Sequence, residues 1–105
     1  MPCLDIPSRL AFVDLETTGA NPRTDRITEI GLVLVDGEQV ETWSSLVNPG
    51  IEISPVISEL TGITNAMVES APAFATLAET VLSRLRERLF IAHNARFDYG
   101  FLKQE

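Results

Sequence analysis

Positive charge and sulfur are both scarce in this chain. Eight Lys and Arg residues stand against fifteen Asp and Glu, a formal charge of −7 with His93 taken as neutral. A protein that held nucleic acid mainly through a basic surface would show the opposite balance. The shortage does not exclude an enzyme that meets phosphates through bound divalent cations, because the ions bring the positive charge. Cys3 is the only cysteine, so no intrachain disulfide can form and the cytoplasm is the expected compartment. No apolar run is long enough to cross a bilayer, and "MPCLDIPSRL" lacks the basic-then-apolar pattern of a secretory signal. No membrane partner is expected. Internal repeats, low-complexity tracts and linkers are also missing.

What is present suits one small domain. With 105 residues, 45% hydrophobic and 22% charged, the chain can build one core and not two. "LAFVDL" (Leu10 to Leu15) is a short apolar run with one acid, and predicts a central buried strand. "ITEIGLVLV" (Ile27 to Val35) predicts a second strand, "DGEQ" a hairpin turn, and "VETWSSLV" (Val40 to Val47) a returning strand. These three form an antiparallel meander, ended by "NPG" at Asn48 to Gly50.

Helices follow. "SPVISEL" opens with Ser54 as N-cap and Pro55 in the first turn, and Gly62 serves as its C-cap. After Pro72, the residues Phe74, Leu77, Ala78, Val81, Leu82 and Leu85 make one apolar stripe at helical spacing. Arg84, Arg86 and Arg88 read as a solvated helix face, and Trp43 as packed on the sheet. "LFIA" (Leu89 to Ala92) predicts a buried fourth strand, and Asn94 caps a final helix, "ARFDYGFLKQ", with Phe97 and Phe101 on one face. The result is an α/β domain: a mixed sheet with flanking helices, its first three strands antiparallel and its fourth parallel to the first.

The carboxylates give this layout its chemical interest. Alternation along the first strand points Asp14 and Glu16 to one face. Asp98 lies about one turn into the helix that opens at the end of the parallel fourth strand, so the three acids can meet. Three clustered carboxylates do not comfortably stay ionised without a counter-cation, and Mg²⁺ or Mn²⁺ are natural partners for oxygen ligands. Two such ions about 3.5–4 Å apart would support phosphodiester hydrolysis by in-line displacement. The plainer alternative is a strand-end turn built by Asp14, Thr17 and Thr18, with Glu16 in solvent. Glu29, in an apolar strand, reads as a buried structural acid outside the site.

"DLETTG" (Asp14 to Gly19), "LTGIT" (Leu60 to Thr64) and "HNARFD" (His93 to Asp98), in this order, resemble the motifs of the DEDD, or DnaQ-like, exonucleases. That group includes polymerase proofreading subunits such as the epsilon subunit of DNA polymerase III. The resemblance runs from Leu10 to Leu102 and implies a ribonuclease H-like fold and 3′–5′ exonuclease activity. It further implies that Asp14 bridges two metal ions, that Glu16 ligates one and positions the attacking water, and that Asp98 ligates the other. Thr17 and Thr18 would approach the terminal nucleotide, partly through their backbone. Leu60 and Phe97 would press on its base or sugar, and Asn94 would help hold the site together. Structural readings stand beside these: Phe97 as core, Asn94 as a helix N-cap, Leu60 at an ordinary helix end.

One part of the family pattern is not in these residues. The histidine subtype takes its general base and a fourth aspartate from a third motif nearer the C-terminus. His93, the only histidine, belongs to the second motif instead. The expectation is therefore a single incomplete exonuclease domain over residues 1–105, lacking the C-terminal strand and helix and inactive or weakly active alone. General-base assistance is worth typically about 10²–10⁴-fold, and one metal site would lack a ligand. The expected partner is a single-stranded or frayed DNA 3′ end, with short RNA, as for an oligoribonuclease, the second choice and a DNA polymerase a further one. The competing classes are a haloacid dehalogenase-like phosphatase with Asp14 as nucleophile, and a non-catalytic module that binds nucleic-acid ends or a protein.

Overall fold

A computed structural model describes residues 9–86, 88–92 and 102 of the chain. Strand β1 (Arg9–Thr17) runs antiparallel to β2 (Ile27–Asp36), and β2 antiparallel to β3 (Gln39–Leu46). Asp36 pairs with Gln39, so Gly37 and Glu38 alone make the hairpin turn. Helices α1 (Pro55–Thr61), α2 (Asn65–Glu69) and α3 (Phe74–Leu85) lead to β4 (Leu89–Ala92), which joins β1 in parallel. The sheet order is β3-β2-β1-β4. This is the expected mixed α/β sheet, a meander followed by a helical crossover.

Local chemistry explains the helix ends. The Ser54 hydroxyl accepts from the Ile57 N–H at 3.3 Å, and Pro55 fills the first turn where no N–H is needed. Gly62 stops α1 with φ at +79°, a conformation a side chain resists, and its N–H returns to the Ser58 carbonyl at 2.8 Å. Thr64 then caps α2, a helix too short to carry an apolar period. Asn65 pins it to the preceding loop, accepting from the Ile53 N–H at 2.8 Å and donating to the Ile53 carbonyl at 3.0 Å.

The main core lies on one face of the sheet. Ala11, Val13 and Leu15 of β1 and Ile30, Leu32 and Leu34 of β2 are buried with Phe74 and Val81 of α3. Trp43, Leu77, Ala78, Leu85 and Leu102 pack on this cluster, as expected for Trp43. A smaller cluster of Ile53, Ile63 and Val68 sits under α1 and α2.

Three expectations need correction. Leu82 is 60% exposed, because it lies at the margin of the α3 stripe while its neighbour Val81 points into the core. β1 and β4 are not buried on both sides: Phe12 and Leu89 are exposed, since α3 packs on the opposite face from Phe12. Arg88 is not solvated. Its guanidinium bonds Asp36 at 3.0 Å and the Leu10 carbonyl at 3.5 Å, with the side chain 9% exposed. Arg84, for its part, pairs with Glu41 and lies 5.7 Å from the Trp43 ring centre.

Candidate active site

Even-numbered residues of β1 occupy the face away from the core. Phe12, Asp14 and Glu16 therefore share it, whereas Val13, Leu15 and Thr17 turn inward. Asp14 pairs in register with Gly31, which puts no side chain beside the carboxylate. Among the described residues no hydrogen bond or ion pair engages the Asp14 carboxylate. A groove of about 600 Å³ opens at this place, lined by Asp14, Phe12, Val33, Ser44 and Ile91 among others.

Glu16 pairs directly with Glu29 across the strands, and both are half-buried. Glu29 is half-buried and not fully buried as expected, and it shares the face of Asp14 and Glu16. Its signal in the sequence is an acid at an outward position of an apolar strand. Just beyond this pair the register shifts, so that Thr17 meets Ile27 and Thr28 is the extra residue. Such a bulge turns the strand end and re-aims its side chains.

Thr17 and Thr18 are nearly buried, and their hydroxyls are committed within the protein. Thr17 donates to the Gly19 carbonyl at 2.5 Å and Thr18 to Asp25 Oδ1 at 2.9 Å. The Thr18 N–H is committed as well, donating to the Arg26 carbonyl at 2.9 Å. Asp25 was not a candidate from sequence, and a lone acid in a polar loop gives little signal.

Leu60 is 79% exposed near the end of α1, and Val56, one turn earlier on the same helix face, is exposed too. Together they form an apolar outer face on α1. The spacing from Val56 to Leu60 was the available clue.

Val13 aligns with Ala92 in the parallel β1–β4 pair. Ala92 thus lies beside the residue that precedes Asp14, and the next residue in the sequence is His93. His93, Asn94, Phe97 and Asp98 lie outside the described residues, as do Cys3 and Phe101. Among the described residues no three acidic, histidine or cysteine side chains converge tightly enough to hold a metal ion. Asp14 and Glu16 make a pair of hard oxygen donors on one open face, a fit to part of a divalent-cation site.

The exonuclease family model RNase_T matches residues 11–105. The chain is 41% identical over 99 residues to the 3′-5′ exonuclease DinG of Bacillus subtilis, covering 92% of this chain and 11% of that protein. It is 42% identical over 92 residues to the PolC-type DNA polymerase III of Thermotoga maritima, covering 87% of this chain and 7% of that one. It therefore spans only a small fraction of the curated relatives it matches. Among solved structures, a product-bound exonuclease I superposes with a TM-score of 0.82 at 24% identity, over 93% of this chain and 25% of that one. A zinc-bound complex of Escherichia coli exonuclease I with single-stranded DNA gives 0.81 at 24% identity, over 93% and 23%. These structures share the ribonuclease H-like fold. On the family match and the level of identity to DinG and PolC, the chain belongs to the DnaQ-like RNase_T exonuclease family.

Proposed function

We propose that the chain is a metal-dependent 3′–5′ exonuclease domain that removes nucleotides from DNA 3′ ends. The observation that carries the reading is the pairing of Asp14 and Glu16 on one open face, at the point where β4 ends alongside β1. Asp14, Glu16 and Asp98 would hold divalent cations, Mg²⁺ or Mn²⁺. When bound, such ions supply a water nucleophile at neutral pH and stabilise the leaving oxygen of a phosphodiester.

The protein's own residues do the rest. Asp14 has no competing partner among the described residues, so its carboxylate is available as a ligand. Glu16 adds charge on the same face and orients the attacking water. Leu60, with Val56 behind it, offers an apolar surface for the terminal base or sugar. Thr17 and Thr18 would approach the terminal nucleotide, and Asn94 and Phe97 are the further residues we assign to substrate binding. The net charge of −7 makes cation-mediated contact with phosphate more favourable than direct contact with a basic face.

The PolC-type relative supports DNA as the substrate and a polymerase, hence proofreading, as the setting. RNA ends are the alternative substrate. The third-motif histidine and fourth aspartate are not among these residues, so the 105 residues alone cleave slowly or not at all.

A 5′-labelled single-stranded oligonucleotide incubated with Mn²⁺ tests this reading. The 105-residue chain should bind the 3′ end in a Mn²⁺-dependent way that Asp14→Ala abolishes, with little shortening. The same chain extended to carry a third motif should give a ladder of 3′-shortened products. An extended chain that binds ends without shortening them would be a binding module and not a nuclease.

A further inference from the structure

The loop joining β1 to β2 closes on a single carboxylate. Asp25 Oδ1 accepts from the Thr18 hydroxyl at 2.9 Å, and Oδ2 accepts from the Asn21 N–H at 3.1 Å. Having donated its one proton, the Thr18 hydroxyl accepts from the Arg26 N–H at 3.0 Å. The Thr18 N–H donates to the Arg26 carbonyl at 2.9 Å, so these two residues are tied twice. Asn21 completes the closure: its carbonyl accepts from the Asp25 N–H at 2.7 Å, and its side chain from the Arg23 N–H at 3.0 Å.

Gly19 lies directly against the same carboxylate. A Cβ there would fall 2.5 Å from Asp25 Oδ2 and 2.7 Å from its Cγ. The carboxylate is held at both oxygens and cannot swing aside without breaking a bond. Only glycine fits. Thr17 holds the outer side of the turn by donating to the Gly19 carbonyl. The backbone from Thr17 to Gly19, which follows Glu16 immediately, is thus braced from behind by one side chain.

We propose that Asp25 is a positioning residue for the exonuclease reaction, holding the Thr17–Gly19 backbone as a preformed shelf for the terminal nucleotide. The inference rests on the proposed exonuclease reading. Asp25 itself touches neither cation nor substrate. Its two acceptor oxygens are spent on the loop, and a backbone already in its bound shape loses no entropy when the nucleotide arrives. An asparagine has one acceptor oxygen and can serve only one of the two donors.

The test compares binding of oligonucleotides ending in a 3′-hydroxyl and a 3′-phosphate, in Mn²⁺, to the parent chain, Asp14→Ala, Asp25→Ala, Asp25→Asn and Val81→Ala. Val81 is a core residue far in sequence from the loop, so its variant shows what lost stability alone does. We expect the parent to prefer the 3′-hydroxyl end, Asp25→Ala to lose about tenfold of that preference, and Asp25→Asn to fall between. Val81→Ala should keep the preference at any temperature where it is folded. If Asp25→Ala does not fold, Asp25→Asn reads the same ratio. An Asp25 variant that melts early yet keeps the end preference would make Asp25 merely structural and overturn the proposal. A parent chain with no Asp14-dependent end preference would overturn the exonuclease reading itself, and this inference with it.

Discussion

Glu16 and Glu29 are direct partners across β1 and β2, two carboxylates held side by side on the face that carries Asp14. Like charges in directly opposed positions destabilise a sheet by about 0.2–1 kcal/mol. On the proposed exonuclease reading, a bound divalent cation would reduce this repulsion. Glu29→Gln should therefore raise stability to urea by up to about 1 kcal/mol without divalent ions. Saturating Mn²⁺ should shrink the gain. Equal gains with and without Mn²⁺ would mean that no cation sits within reach of the pair.

The neighbours Val81 and Leu82 separate core from margin. Val81→Ala removes two buried carbons and should cost about 2 kcal/mol, from about 0.8 kcal/mol for each plus a small cavity. Leu82→Ala should stay within about 0.5 kcal/mol, as expected for an exposed position. Denaturant titrations of the two variants give both numbers directly.

Asp36 makes stability depend on acid. Hydrogen bonds from Arg9 and from Arg88 hold its carboxyl below the ordinary value of 3.8. A carboxyl lowered on folding contributes stability that is fully present above its unfolded value and disappears as pH falls through the folded one. Asp36→Asn should therefore be less stable than the parent at neutral pH, and the two should converge as pH falls below 3.8 and through the lowered folded value. The difference at neutral pH should also narrow in about 1 M salt, because the Arg9 side of the cluster is well exposed. A gap that persisted in acid would assign the effect to packing of Arg88 and not to charge.

Leu60 offers a clean division between stability and binding. Because it is exposed, Leu60→Ala should melt within a few tenths of a kcal/mol of the parent. If it presses on the terminal nucleotide, the same change should weaken end binding by about tenfold, the scale of one lost stacking or apolar contact. Thermal melts and fluorescence anisotropy on one preparation decide the matter.

Much of this was legible from the residues alone, because the relevant forces act within a few positions. Alternation along β1 put Asp14 and Glu16 on one face, and the caps of α1 at Ser54 and Gly62 bond backbone groups only three or four residues away. The antiparallel meander and the parallel return of β4 followed from short loops and a long helical crossover. The motif residues carried the family.

Only the tertiary structure decided the rest. Whether Phe12 or Val13 was covered depended on which face of the sheet α3 chose, and both are apolar. Arg88 meets Asp36 and Leu10 across most of the chain, a pairing no local window contains. Glu29 came to lie beside Glu16 through the register of two strands, and Asp25 beside Gly19 through the closure of a loop. Local sequence sets what each element is and which way its side chains alternate. Docking sets which of those side chains meet, because the energy of contact between distant residues exists only once the elements have packed.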